Sequence, residues 1–530
     1  MSSESLSLAI AGEGFLFART GSIVPRIAGV LRYRSAICPR AFRGVCHAET
    51  GPARLLTVLI PSTLLPAAEK TDRPNVIIIY ADDLGLGDLA CYGNERFQTP
   101  YIDRMAREGV RFTDFSSSCP YCAPSRASLL TGRYPFRNNM MLGNPVPAAD
   151  YGLQQARKPN PALDQLGLPQ DELTLGELFQ QQGYATMAIG KWHLGHQPQF
   201  HPTKHGFDDY LGILYSNDMH PVQLWKNDDI VEYPVVQATL TKRYTEAAVA
   251  FIEKNKQQPF FLYLPHAMPH KPLACSEDFY SRQPSGPSPD LYRDVIAELD
   301  WSVGHLIECL QQLKIDESTL VVFTSDNGPW FGGSTAGLRG MKSRTWEGGL
   351  RVPAIIRWPG TIPAGQIIDE PTIIMDVFST VLAAANIPAP DDRVIDGFDL
   401  LPAMTGEAAV PERLLFSFQG NVKSVRQGDW KYHQQMPPAL NFPDDWIDPR
   451  RPNGVTLLAP DEQYGPAAHP GVVTGDHGAR PGLFNLKQDP TEQNNVADAH
   501  AEIFQRLAKY REAIEQQTGR PPGQGKLIVP

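Results

Sequence analysis

The chain is poor in several features that would place it at once. It has seven cysteines in 530 residues, too few for a disulfide scaffold and without the paired C-x-x-C spacing of a zinc module. Their odd number leaves at least one thiol unpaired or modified. Basic charge is in deficit, the formal net charge being −10, which excludes the broad cationic surface that nucleic-acid binding requires. A few local Arg and Lys residues can still frame a pocket for a small anion in such a protein. There is no internal repeat of fixed period. The acceptor Asn-x-Ser/Thr, with x other than Pro, occurs nowhere, which removes the usual attachment point for N-linked sugar. An apolar stretch at residues 54–68 is too short, and too broken by Pro61 and Pro66, to cross a bilayer, so no integral membrane span is expected. Starting at Arg54 and ending in Ala67-Ala68, behind a segment with Arg19, Arg26, Arg32, Arg34, Arg40 and Arg43, it reads instead as a signal segment.

What remains is an ordinary globular composition, 42% hydrophobic and 20% charged, long enough for about two to four domains. Residues 75–80 (Asn-Val-Ile-Ile-Ile-Tyr) are a continuous β-branched run, the pattern of a strand buried on both faces. Similar runs occupy 184–189, 260–264 and 320–324. Helical patterns occupy 174–182, 240–255, 290–313 and 374–385. Alternating strands and helices predict an α/β fold, with a large mixed, mostly parallel sheet flanked by helices on both faces. From about residue 411 the texture changes to short strands at 414–418 and 422–426, a turn at 427–429, a Pro- and Gly-rich loop at 437–482 and a terminal helix near 499–517. This predicts a smaller C-terminal α+β domain with a short antiparallel sheet. The expected organisation is an extension over 1–70, a catalytic domain over 71–410 and the α+β domain over 411–530.

The polar residues follow strand ends. Asp82 and Asp83 come after the first run, and Asp326 and Asn327 after the run at 320–324. In open α/β sheets ligands bind at that edge, and four oxygen donors suit a hard cation, Ca²⁺ or Mg²⁺, better than a soft metal. Each pair alone also has a structural reading, as turn residues capping helices. Lys191, His193, Ser216, His270 and Lys342 lie in comparable positions, and singly each reads as a solvated charge, a turn histidine or a turn hydroxyl.

One segment carries two chemistries. Cys119-Pro120-Tyr121-Cys122 resembles the dithiol site of a glutaredoxin. Pro124 suits the first position of a helix, which would set residue 122 just before free N–H groups that favour an anion. Arg126, one turn on, adds a guanidinium fork. A low-pKa redox cysteine would use the same geometry, so the segment alone leaves both readings open.

Read from its second cysteine, Cys122-Ala123-Pro124-Ser125-Arg126 followed by Ala127-Ser128-Leu129-Leu130-Thr131-Gly132-Arg133 resembles the signature of the type I sulfatases, within the alkaline-phosphatase-like superfamily. The resemblance runs from about residue 73 to the C-terminus. It includes Pro74-Asn75 through Asp82-Asp83, Thr99-Pro100-Tyr101-Ile102-Asp103, Gly190-Lys191-Trp192-His193-Leu194-Gly195 and Pro269-His270-Lys271-Pro272. It continues through Ser325-Asp326-Asn327-Gly328, Leu338-Arg339-Gly340-Met341-Lys342 and the late Leu483-Phe484-Asn485-Leu486 with Glu492-Gln493-Asn494-Asn495. Residues 211–218 are similar to an arylsulfatase segment in which the serine, here Ser216, approaches the sulfate.

The resemblance implies that Cys122 is converted to Cα-formylglycine (3-oxoalanine) by a formylglycine-generating enzyme. It implies that Asp82, Asp83, Asp326, Asn327 and position 122 hold calcium. A hydrated aldehyde has two hydroxyls on one carbon, so one attacks sulfur and the other expels sulfate. Arg126, Lys191 and Lys342 would stabilise the sulfuryl oxygens, His270 with Lys342 would assist the leaving alcohol, and His193 would act as base. The implied substrate is a sulfate monoester on a small molecule, aryl alcohol or glycan. Without N-glycosylation acceptors, a bacterial periplasmic or secreted enzyme is expected rather than a lysosomal one. Three other functions stay open: phosphate or phosphonate ester hydrolysis on the same scaffold, dithiol oxidoreduction at Cys119 and Cys122, and sulfated-glycan binding without turnover. Substrate choice is expected in loops 143–169 and 437–482.

Overall fold

The computed structural model describes residues 73–96, 98–141, 144–146, 161–219, 222–281, 290–437 and 480–518. The signal segment expected at 54–68, and most of the two loops expected to choose substrate, lie outside the described residues. In chain order the strands are β1 (Asn75–Ala81), β2 (Val110–Phe112), β3 (Phe115–Ser116), β4 (Ala185–Lys191), β5 (Asp209–Ile213), β6 (Leu224–Lys226), β7 (Asp229–Glu232) and β8 (Phe260–Pro265). They continue as β9 (Thr319–Ser325), β10 (Ala354–Arg357), β11 (Gln366–Ile368), β12 (Thr372–Ile373), β13 (Leu414–Phe418), β14 (Val422–Gln427), β15 (Trp430–His433) and β16 (Gly482–Asn485). The helices are α1 (Pro100–Glu108), α2 (Cys122–Thr131), α3 (Pro161–Asp164), α4 (Leu175–Gln181), α5 (Leu240–Asn255), α6 (Leu291–Leu313), α7 (Glu347–Leu350), α8 (Met375–Ala384), α9 (Leu401–Met404) and α10 (Ala501–Thr518).

Ten strands form one sheet in the order β11-β2-β10-β9-β1-β8-β4-β5-β6-β7. Five of its pairings are parallel, including the whole run from β9 through β1, β8 and β4 to β5. The antiparallel pairings lie towards the two ends, where β10 joins β9 to β2 and β6 and β7 close the far edge. The sheet is therefore mixed and mostly parallel, as expected.

Its centre shows why the apolar runs are continuous. Val76, Ile78 and Tyr80 of β1 point into one core, and Ile77, Ile79 and Ala81 into the other. Side chains alternate across a strand, so a strand covered on both faces must be apolar at every position. One core packs α1, α5 and α6 against the sheet. The other packs α2, α4, α8, α10 and the four-stranded antiparallel sheet β13-β14-β15-β16. Each fully buried aliphatic side chain contributes about 1.5–3 kcal/mol. Among the described residues, no helix is long and apolar enough to cross a membrane.

A buried ionic seam joins the small sheet to the large one. Arg426 of β14 makes a two-pronged pair with Asp114 at 2.7 and 2.5 Å. Lys431 of β15 reaches Glu347 at 2.7 Å and Glu492 at 3.1 Å, and Arg351 reaches Glu347 at 2.5 Å. Burial would raise the Glu347 carboxyl, but Lys431, Arg351 and Arg426 hold it well below the usual carboxylate range. A depressed folded pKa stabilises the fold above the unfolded value of about 4.3, and that contribution is lost as pH falls through the lower folded value. Removing one member leaves buried charge uncompensated. Glu347→Gln is expected to cost about 3 kcal/mol at pH 7 and to flatten the loss of stability on acidification. Urea unfolding of both proteins between pH 7 and pH 3 checks this, and equal stability at pH 7 would contradict it.

Candidate active site

Parallel strands bring their carboxyl ends to one edge, and that edge collects the candidate residues. Asp82 and Asp83 follow β1, Asp326 and Asn327 follow β9, and His270 lies in the loop after β8. Lys191 is the last residue of β4, His193 follows two residues later, and Ser216 follows β5. The approach between strands here is close. Gly190 has φ +130°, and a Cβ there would lie 1.8 Å from the Pro265 carbonyl oxygen, so only glycine can precede Lys191 at this spacing.

Helix α2 supplies Cys122 and Arg126, but its start differs from expectation. The helix begins at Cys122, with Tyr121 as its cap and Pro124 in the third position. Proline is tolerated there because the first-turn N–H groups have no acceptor within the helix. The Ala123 N–H donates to Asn144 Oδ1 at 3.1 Å, so this helix terminus does not present all its N–H groups to a ligand.

All eleven candidate residues come together. Lys342 Nζ lies 3.2 Å from Cys122 Sγ and 2.6 and 2.8 Å from the two oxygens of Asp83. Lys191 Nζ donates to Asp82 and, at 3.1 Å, to Ser216 Oγ. Cys122 Sγ is 3.4 Å from Asp82 Oδ1. Arg126 donates through Nε and Nη2 to Asp326 Oδ2 at 3.2 and 2.9 Å, and through Nη1 to the Lys191 carbonyl at 2.7 Å. Its guanidinium fork thus binds the carboxylate wall. Asn327 donates to Asp83 Oδ1 at 2.7 Å.

The histidines differ. His270 Nδ1 lies 2.9 Å from Asn217 Oδ1, which requires the proton on Nδ1 and turns Nε2 towards Asp83, 3.7 Å away. Asn217 is itself held by donating to the carbonyls of His270 and Pro272 and by accepting Gln237 Nε2 on its own carbonyl at 2.8 Å. His193 is buried, has φ +56°, and neither ring nitrogen has a hydrogen-bond partner among the described residues. Asn217 and Gln237 carry no sequence pattern of their own, because their role depends on long-range partners; the adjacency of Asn217 to Ser216 is the one available signal.

Burial and charge set the protonation. Burial would raise Asp82, but Lys191, His270, Arg126 and Lys342 hold it well below the usual range. Burial raises Asp83 against the pull of Lys342, and burial with Asp82 nearby lifts Asp326 to about 7. Burial and then Lys191 keep His193 neutral. Burial, then Asp82, pushes the Cys122 thiol well up against Lys191 and Lys342, the opposite of a reactive redox thiolate.

The donors fit a metal ion. Asp82, Asp83, Cys122 and His270 place ligand atoms within 4.8 Å of one another. Asn327 Oδ1 is buried with no hydrogen-bond partner among the described residues, its amide nitrogen bonds Asp83, and Asp82, Asp83 and Asp326 are buried carboxylates whose mutual repulsion a cation would relieve. Oxygen donors outnumber the single sulfur and nitrogen, which favours a hard cation.

Comparison with known proteins gives one consistent result. The family model "Sulfatase" matches residues 74–387. The chain is 37% identical over 502 residues to N-acetylgalactosamine-6-sulfatase of Canis lupus familiaris, covering 90% of this chain and 92% of that protein. It is 32% identical over 543 residues to steryl-sulfatase of Homo sapiens, covering 85% and 89%. Among solved structures it resembles the PsFucS1 sulfatase from Pseudoalteromonas sp., with TM-score 0.67 and 25% identity over 86% of this chain and 92% of that one.

The buried, high-pKa thiol gives a direct expectation. In protein made without modification of position 122, Cys122 should resist iodoacetamide at pH 8 in the folded state and react in urea. Mass mapping of alkylated peptides checks this, and rapid alkylation of native Cys122 would support the dithiol alternative.

Proposed function

The chain belongs to the sulfatase family and hydrolyses sulfate esters; from that premise we propose that Cys122 is the precursor of a formylglycine that attacks sulfur beside a calcium ion. One observation carries the reading. Lys342 Nζ touches both Cys122 Sγ at 3.2 Å and Asp83 at 2.6 Å, so position 122, a cation and a carboxylate wall share one buried site. A formylglycine-generating enzyme is the maturation partner on this reading, and export fits the apolar segment at 54–68.

Asp82, Asp83, Asp326 and Asn327 would hold calcium together with the modified residue 122. Bound there, calcium would supply the positive charge that acidifies a hydroxyl at position 122 and polarises a sulfate oxygen. The conversion matters because cysteine has one nucleophilic atom, whereas a hydrated aldehyde has a second hydroxyl with which to release sulfate.

The chain's own groups divide the remaining work. Lys191 and Lys342 present ammonium groups to the oxygens on sulfur, and both are nearly dry, at 0% and 8% exposure, where such charge acts most strongly. Ser216, 3.1 Å from Lys191 Nζ, adds a hydroxyl on the same side. His270, fixed by Asn217 through its Nδ1–H, turns Nε2 into the site, and as the imidazolium, with protons on both nitrogens, it would give the Nε2 proton to the departing alcohol oxygen and return to the neutral ring. His193, buried and kept neutral with neither ring nitrogen bonded among the described residues, is our candidate for the base that accepts the proton from position 122. Arg126 fixes Asp326 and the backbone of Lys191, so the carboxylates and the lysine keep their spacing.

The substrate class is a sulfated carbohydrate or aryl sulfate. Similarity to N-acetylgalactosamine-6-sulfatase supports the sugar, and similarity to steryl-sulfatase supports a hydrophobic alcohol. Steady-state kinetics on an aryl sulfate and the matching aryl phosphate test the reading. We expect kcat/KM to favour the sulfate by at least about a hundredfold, to collapse on chelation, and to return with Ca²⁺ better than with Mg²⁺. A preference for the phosphate would move the protein to the ester-hydrolase alternative.

A further inference from the structure

We propose that Gln419, on the small antiparallel sheet, is a positioning residue for the reaction at position 122. Its carboxamide sets the spacing between the start of α2 and the loop that carries Lys342. The proposal rests on the reading that position 122 and Lys342 act together on the sulfate ester.

Gln419 follows β13, whose last residue, Phe418, donates its N–H to the Ser118 carbonyl at 3.1 Å. The hairpin is therefore anchored to the segment that leads into Cys122. From there the side-chain nitrogen of Gln419 donates twice, to the Tyr121 hydroxyl at 2.8 Å and to the Ser343 carbonyl at 3.1 Å. Tyr121 is the residue before Cys122, and Ser343 is the residue after Lys342. One amide group thus spans the flanks of both members of the 3.2 Å pair formed by Cys122 and Lys342.

The backbone at Ser343 shows why such a brace is needed. Ser343 has φ +71°, a left-handed conformation that side chains other than glycine and asparagine adopt at a cost. Both its peptide groups are held. Its N–H donates to the Pro120 carbonyl at 3.0 Å. Its carbonyl accepts Gln419 and, at 2.8 Å, Arg344 Nη1. The preceding Lys342 N–H donates to the Pro329 carbonyl at 3.0 Å. Released at Ser343, the backbone relaxes towards an ordinary φ and carries the Lys342 ammonium away from position 122. A displacement of this kind lowers the rate of a positioned reaction more than it weakens binding.

Gln419→Ala, Ser343→Gly and the double variant form the test, assayed on a small aryl sulfate with kcat referred to the fraction of position 122 converted. Gln419→Ala should lower kcat about tenfold with KM changed less than about twofold, and with the melting temperature unmoved. Because glycine takes the left-handed conformation freely, Ser343→Gly in the Gln419→Ala background should restore most of the lost kcat. Wild-type kcat in Gln419→Ala, an effect confined to KM, or a kcat loss that Ser343→Gly leaves unrepaired would overturn the proposal. An active wild type with an unmodified thiol at 122, or full activity in Lys342→Ala, would overturn the underlying reading and the proposal with it.

Discussion

Three carboxylates, Asp82, Asp83 and Asp326, are buried together with Arg126, Lys191 and Lys342, and the rest of the structure depends on that compensation. Charges removed from water cost several kcal/mol each unless geometry and hydrogen bonds offset the loss. Here the offset comes from different strands and loops: Arg126 on α2 pairs with Asp326 behind β9, and Lys342 pairs with Asp83 behind β1. No element could shift alone without leaving a charge unpaired. The cluster therefore fixes the sheet's carboxyl edge, and burial with Asp82 nearby still lifts the Asp326 carboxyl to about 7.

Much of this was legible in the sequence, for physical reasons. A central parallel strand must be apolar on both faces, so the runs that became β1, β8 and β9 announced themselves, and the polar residues just beyond them marked the ligand edge. The helix at 240–255 coincides with α5 because its apolar stripe is long and uninterrupted. Shorter pieces were silent. Strands β2, β3, β11 and β12 have only two or three residues each, and the antiparallel insertion of β10 between β9 and β2 leaves no local trace. Helix α2 begins two residues before the position that Pro124 suggests, because this proline occupies the third helical position rather than the first. Long-range pairings were silent too. Nothing near Asn217 says that it will hold His270, and nothing near Gln419 says that it will reach Tyr121 and Ser343.

The small sheet changes meaning in this light. Its inner face completes one core, its Lys431 and Arg426 join the seam around Glu347, and its first hairpin reaches Tyr121 and Ser343, the neighbours of Cys122 and Lys342. Position 122 thus has the carboxyl edge of the large sheet on one flank, and Gln419 beside β13 bonded to its neighbour Tyr121. The same burial sets the state of the two thiols. Cys119 and Cys122 are both buried free thiols, and surroundings that would make a poor dithiol are compatible with the proposed conversion of residue 122.

The most direct measurement is the mass of the peptide spanning residue 122 in purified, active enzyme. Conversion predicts loss of one sulfur and two hydrogens and gain of one oxygen, with activity proportional to the converted fraction across preparations. Full activity in protein whose residue 122 is wholly unmodified cysteine would contradict it.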